Sequence, residues 1–168
     1  MDPEPNPAKR PDTVRDADDD ARVLARDLLG LRHAALAWIY PDTAAPGISR
    51  IAFGLAPDRT PLTFISALAP HFAALHADPA CALLLGEPGT NGDPLTHARL
   101  MIRAKAQFVG PLDPLRGALR DQWVMDHPKA ALYIDFTDFA FVLLRPQSAL
   151  LNAGFARAYR LTPDDLTS

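Results

Sequence analysis

Apolar and polar residues alternate with a period of two along Arg99–Phe108 (RLMIRAKAQF). Leu100, Ile102, Ala104 and Ala106 face one way; Arg99, Met101, Arg103, Lys105 and Gln107 face the other. This is the pattern of a half-buried strand that carries a row of cations on its outer face. Shorter runs of similar character predict strands at His33–Tyr40, Ile48–Leu55, Leu62–Ser66, Ala80–Leu85 and Phe139–Leu144, with extended chain at Ala149–Leu151 and Phe155–Leu161. Helical spacing appears in three places. Val23, Leu24, Leu28 and Leu31 follow the acidic cap Asp18-Asp19-Asp20 and end near Gly30. Ala67–Ala77 forms a short helix after the third strand, and Leu115, Leu119 and Trp123 share one face after the Asp113-Pro114 opening. Pro128 starts a further short helix through Tyr133. Ala56-Pro57-Asp58-Arg59-Thr60 is a hairpin turn, and 86–94 is a loop dense in Gly and Pro. The order of elements predicts an antiparallel α+β barrel and not a βαβ doubly wound sheet.

Residues 1–18 hold four prolines (Pro3, Pro5, Pro7, Pro11) and many charges, so they are expected to be a flexible tail preceding one domain over 19–168. The 168 residues suffice for one core, and 48% hydrophobic against 22% charged content is that of a globular chain. A net charge of −3 gives no broad basic face, so no nucleic-acid partner is expected. No apolar run approaches a bilayer span and no signal-peptide pattern opens the chain, so no membrane is expected and the cytoplasm is the expected compartment. The single cysteine, Cys81, lies in an apolar run and is expected to be a buried thiol.

The polar residues at the strand ends are the candidate site. Arg50 lies between Ile48, Ile51 and Phe53, so it faces solvent, meets a carboxylate, or clamps a phosphate. Ser49 is its neighbour. Ser66 ends a strand where a helix begins and can cap that helix or hold a phosphate there. His71 lies one turn into the helix. Arg99 and Arg103 share a strand face, about 13 Å apart at strand rise. Trp123 is a candidate for the core or for a subunit interface. No two histidines have a metal-ligand spacing, and no Walker loop, dinucleotide fingerprint, Ser-His-Asp order or paired-carboxylate motif is present.

Three segments carry a family resemblance: SRIAFGLAPDRTPLTFISALAPHFAALHADPACALLLGEPG, GDPLTHARLMIRAKAQFVGP and HPKAALYIDFTDFAFVLLRPQSALLNAGFARAYRLTPDDL. In this order they resemble the pyridoxamine 5′-phosphate oxidase-like split barrels that bind FMN, and within them the haem-utilisation branch. The resemblance covers Ala21 to Leu166. It implies a six-stranded antiparallel Greek-key split β-barrel with flanking helices, a homodimer, and a cofactor cleft at the interface. It implies a flavin-dependent oxidoreductase acting on a small molecule, with Ser49 or Arg50, Ser66 and His71 on the FMN phosphate and Arg103 near the flavin or substrate. Where relatives carry a polar His-Thr-Arg-Asn-Leu run, this chain has His71-Phe72-Ala73-Ala74-Leu75. That substitution favours the alternative, a non-catalytic barrel that binds haem or another small ligand.

Overall fold

The computed structural model describes residues 13–167. Nine strands and four α-helices form an α+β fold on one sheet: β1 Val14–Asp16, α1 Asp19–Leu29, β2 His33–Ile39, β3 Pro46–Ala52, β4 Gly54–Leu55, β5 Pro61–Ser66, α2 Pro70–Ala77, β6 Ala80–Leu85, β7 Arg99–Val109, α3 Arg116–Asp126, β8 Phe139–Asn152, β9 Ala158–Leu161 and α4 Pro163–Thr167. The ladder order is β1-β9-β8-β7-β6-β2-β3, with β5 on β8 and β4 on β5. All pairs are antiparallel except β1 with β9.

The α+β class expected from the resemblance holds, while the six strands of the expected split barrel are here part of one nine-stranded sheet that is not closed into a barrel. Six strands are six residues or longer (β2, β3, β5, β6, β7, β8), and three short ones join them. Among the described residues no ladder joins β3 to β5, so the sheet stays open there. The expected tail also runs too far. Its first twelve residues lie outside the described ones, but Val14–Asp16 pair in parallel with Ala158–Arg160, and Asp18 caps α1 by accepting the Ala21 amide at 2.8 Å.

β8 is the spine of the sheet. One edge pairs with β7 along its length, while the other meets β5 through 139–143 and β9 through 149–152. Its fourteen residues are continuous through Pro146, where the sequence pattern predicted two separate pieces. The register against β7 shifts between Arg103 and Ala104, which face Ser148 and Pro146, so Gln147 is the extra residue of a bulge. A bulge is one of the few places where a ladder tolerates proline.

Two apolar clusters fill the fold. One packs α1, α2 and α4 on the inner face of the sheet, around Leu36, Phe53, Leu83, Ile102 and Leu151. The other lies under α3, around Leu62, Phe64, Leu119, Trp123 and Phe141. Trp123 is 1% exposed, which settles its role as core. Gly47 is required by close packing: a Cβ there would sit 2.3 Å from the Trp38 indole.

Candidate functional site

Cross-strand register sorts the residues of the sheet onto two faces, because directly opposed residues point the same way. Ser49, Leu36, Leu83, Ile102 and Ala149 form one inward row. Arg50, Ala35, Leu84, Met101, Leu150 and Arg160 form an outward row. The next outward row is Ile48, Ala37, Ala82 and Arg103, followed by Ser148 at the bulge. The outer face is thus an apolar strip of small and aliphatic side chains set among arginines.

The five sequence-predicted residues are not gathered in one place. Ser49 and Arg50 point to opposite faces of β3. The Ser49 hydroxyl donates to the Arg50 carbonyl at 3.3 Å. Arg50, with its side chain 74% exposed, meets Glu87 at 3.5 Å, and the same carboxylate oxygen is 3.1 Å from His33 Nε2. Ser66 closes the turn before α2 by accepting the Leu68 amide at 3.2 Å, while the helix cap is Ala69, which offers no side-chain bond. His71 is 7% exposed and packs on the Trp38 ring at 5.1 Å between centroids. These positions form no single phosphate cradle within one protomer.

Arg103 stands apart. Among the described residues it forms no ion pair. It borders a cleft of about 610 Å³ with Met101, Ser148, Leu150 and Arg160, and a second of about 360 Å³ with Ala37, Pro46, Cys81 and Ala82. In the larger cleft, Arg22 is held by Asp19 and Asp165 at 3.0 and 2.7 Å, and Arg160 donates to the Val14 carbonyl at 3.0 Å. An unpaired guanidinium on an apolar sheet, between two clefts, is the group on this face best placed to take an anion. Sequence reading found Arg103 by its alternation but missed Glu87, whose pairing with Arg50 depends on the return of a distant loop.

Titration behaviour follows burial. Desolvation pushes the Cys81 thiol up to about 12, helped by the nearby Asp78 charge, which leaves it an inert thiol at neutral pH. The His71 imidazole is held below its usual range by burial alone. The His127 imidazole is also lowered, mainly by burial, despite its bond to the Phe53 carbonyl at 2.9 Å. In the unfolded chain a histidine takes its proton near pH ~6.5. Below that value the unfolded state binds more protons than the fold, so stability falls as pH drops from about 6.5 towards the lower folded values. Melting curves at descending pH are expected to show this loss, and His71→Leu to show a shallower one. An unchanged slope in the variant would remove His71 from the account.

Among the described residues, no group of three or more His, Cys, Asp or Glu side chains is placed to hold a metal ion. No helix among them is long and apolar enough to cross a membrane.

No protein-family model matches the chain. It is similar to the non-canonical heme oxygenase HOZ, chloroplastic, of Arabidopsis thaliana, being 31% identical over 114 residues, which are 68% of this chain and 34% of that protein. The chain thus spans about a third of the length of this curated relative. The structure of a heme binding protein from Mycobacterium smegmatis superimposes with a TM-score of 0.74 at 25% identity, covering 86% of this chain and 60% of that one. A Clostridium acetobutylicum protein related to general stress protein 26, of the pyridoxinephosphate oxidase family, has a TM-score of 0.67 at 11% identity and covers 89% of this chain and 99% of its own. That last likeness is one of fold alone, and it puts the chain's α+β sheet with the split-barrel proteins.

Proposed function

We propose that this chain binds haem, as a member of the haem-utilisation branch of the split barrels, and that it does so on the outer face of the sheet around Arg103. The observation that carries this reading is the unpaired Arg103 guanidinium above an apolar strip, between clefts of about 610 and 360 Å³. A tetrapyrrole offers two broad apolar faces and two carboxylates. The strip of Ala35, Ala37, Ala82, Met101 and Leu150 suits the ring, and Arg103 suits a carboxylate through a two-pronged contact. The similarity to a heme oxygenase and to a heme binding protein supports haem over FMN.

The same face supports a homodimer. Ile48 is 72% and Leu84 41% exposed on it, in adjacent outward rows with Ala35 and Ala37 between them, and contiguous apolar surface of this kind suits association. A second copy related by a two-fold axis would cover the strip with itself and leave the flanking clefts shared between protomers.

The test is a pair of titrations of the full chain, haem followed by its Soret band and FMN by its fluorescence. Saturable haem binding is expected. Arg103→Gln is expected to weaken it by about tenfold or more, the worth of a charge-assisted contact of ~1.5–3 kcal/mol. Saturable FMN binding without haem binding would overturn the reading and return the chain to flavin-dependent oxidoreductase chemistry on a small molecule.

A further inference from the structure

A third cavity, of about 380 Å³, lies away from the outer sheet face and shares no lining residue with the two clefts around Arg103. Phe72, Val109, Phe136 and Phe139 form apolar parts of its wall, and Arg116 and Asp138 line it beside them. The aromatic walls are braced from behind. Phe72 meets Phe108 edge-on at 5.1 Å, and Phe139 stacks on Phe64 at 5.1 Å and lies 5.2 Å from Tyr133. Phe136 stands 54% exposed, approaching Phe139 edge-on at 6.4 Å.

Arg116 is the informative residue. It is half-buried, its guanidinium lies 5.6 Å from the centre of the Phe141 ring, and among the described residues it forms no ion pair. A partly desolvated guanidinium without an anion is costly. Asp135, which also lines the cavity, attracts the Arg116 charge without forming an ion pair with it among the described residues. Asp135 is held two-pronged by Arg120 at 2.9 and 2.8 Å, and among the described residues Asp138 makes no ion pair. The cavity is large enough for a small ligand, at the low end of the ~300–1,000 Å³ usual for such sites.

We propose that this cavity binds a planar aromatic carboxylate, its ring between the phenylalanines and its carboxylate on Arg116. The aromatic walls supply edge and face contacts, and the guanidinium fork supplies the two parallel hydrogen bonds that a carboxylate accepts. Asp138 repels the same carboxylate and limits its affinity.

The experiment is calorimetric titration of the full chain with 2-naphthoate, with 2-naphthylmethanol as the probe that keeps the ring and lacks the charge. Saturable binding of one naphthoate per chain is expected. The alcohol and the Arg116→Met variant are each expected to bind about tenfold more weakly or worse. Asp138→Asn is expected to tighten naphthoate severalfold. Arg116→Lys, which keeps the charge without the fork, is expected to fall between the natural chain and Arg116→Met, and it serves if the methionine variant loses its circular dichroism. Absence of saturable naphthoate binding overturns the proposal. So does equal binding of the two probes, undiminished affinity without Arg116, or affinity that falls in Asp138→Asn.

Discussion

Trp123→Ala is expected to lower the stability of the fold by about 3–5 kcal/mol, the usual loss when a large aromatic leaves a packed core. The residue is 1% exposed and lies 6.3 Å from Phe64, 6.1 Å from Phe141 and 4.2 Å from His127, measured between ring centres. Among the described residues its Nε1 has no hydrogen-bond partner, so the loss is one of apolar packing and cavity formation. Against a typical total stability of ~5–15 kcal/mol, this removes about a fifth or more of the margin. Trp123 links α3 to β5 and β8, whose ladders lie beneath it, so relaxation around the void must move whole elements and cannot heal it cheaply. Trp123→Phe, which keeps a ring and forfeits no hydrogen bond, is expected to cost less than half as much. Urea denaturation measures both, with the midpoint falling and the slope unchanged. A loss below ~1.5 kcal/mol for the alanine variant would mean that the site collapses onto itself and that the elements around the second apolar cluster move easily into the void.

The sequence made some of these elements plain and hid others for identifiable reasons. The eleven residues of β7 were legible because strict alternation is a local signal, and the same alternation exposed Arg103. α1 was legible from its acidic cap and spacing. β8 was read as two pieces because Pro146 interrupts a strand pattern, and nothing local reveals the bulge at Gln147 that accommodates it. β1 was hidden in an acidic, proline-rich stretch, since three parallel pairs between distant parts of the chain are a wholly tertiary event, whereas β9 lies inside the extended run predicted at Phe155–Leu161. The candidate site divided along the same line. That Arg50 faces solvent, a carboxylate or an anion follows from its apolar neighbours; that it is exposed and meets Glu87 depends on how the loop after β6 returns. The family resemblance implies His71 on a phosphate, yet its ring packs on Trp38, whose indole lies close against Gly47. Arg116 carried no motif at all, and only the cavity beside it gives it significance.

Leu84→Arg is expected to split the proposed homodimer and to weaken haem binding with it. Leu84 occupies the middle of the outward row, between Ala35 and Met101, with Arg50 and Arg160 at the ends of that row and Arg103 in the next. A guanidinium there adds a further cation to a face that already carries Arg50, Arg103 and Arg160, and a two-fold axis sets it against its own copy. Burying such a charge without an anion costs several kcal/mol, so the dissociation constant is expected to rise by about 100-fold or more. Within one protomer the residue is 41% exposed, so the change should leave secondary structure intact by circular dichroism. Light scattering reads the association and the Soret band reads the ligand. Loss of both places the haem site across the two protomers, where the apolar strip of one copy and Arg103 of the other close around the ring. Loss of association with full haem affinity would confine the site to the cleft beside Met101 and Leu150 within one chain. A variant that remains dimeric would show that the apolar strip is not the interface, and the exposed Ile48 and Leu84 would then have to be explained by the ligand alone. The three outcomes separate because the same side chains serve both proposals while the two readouts report on them independently.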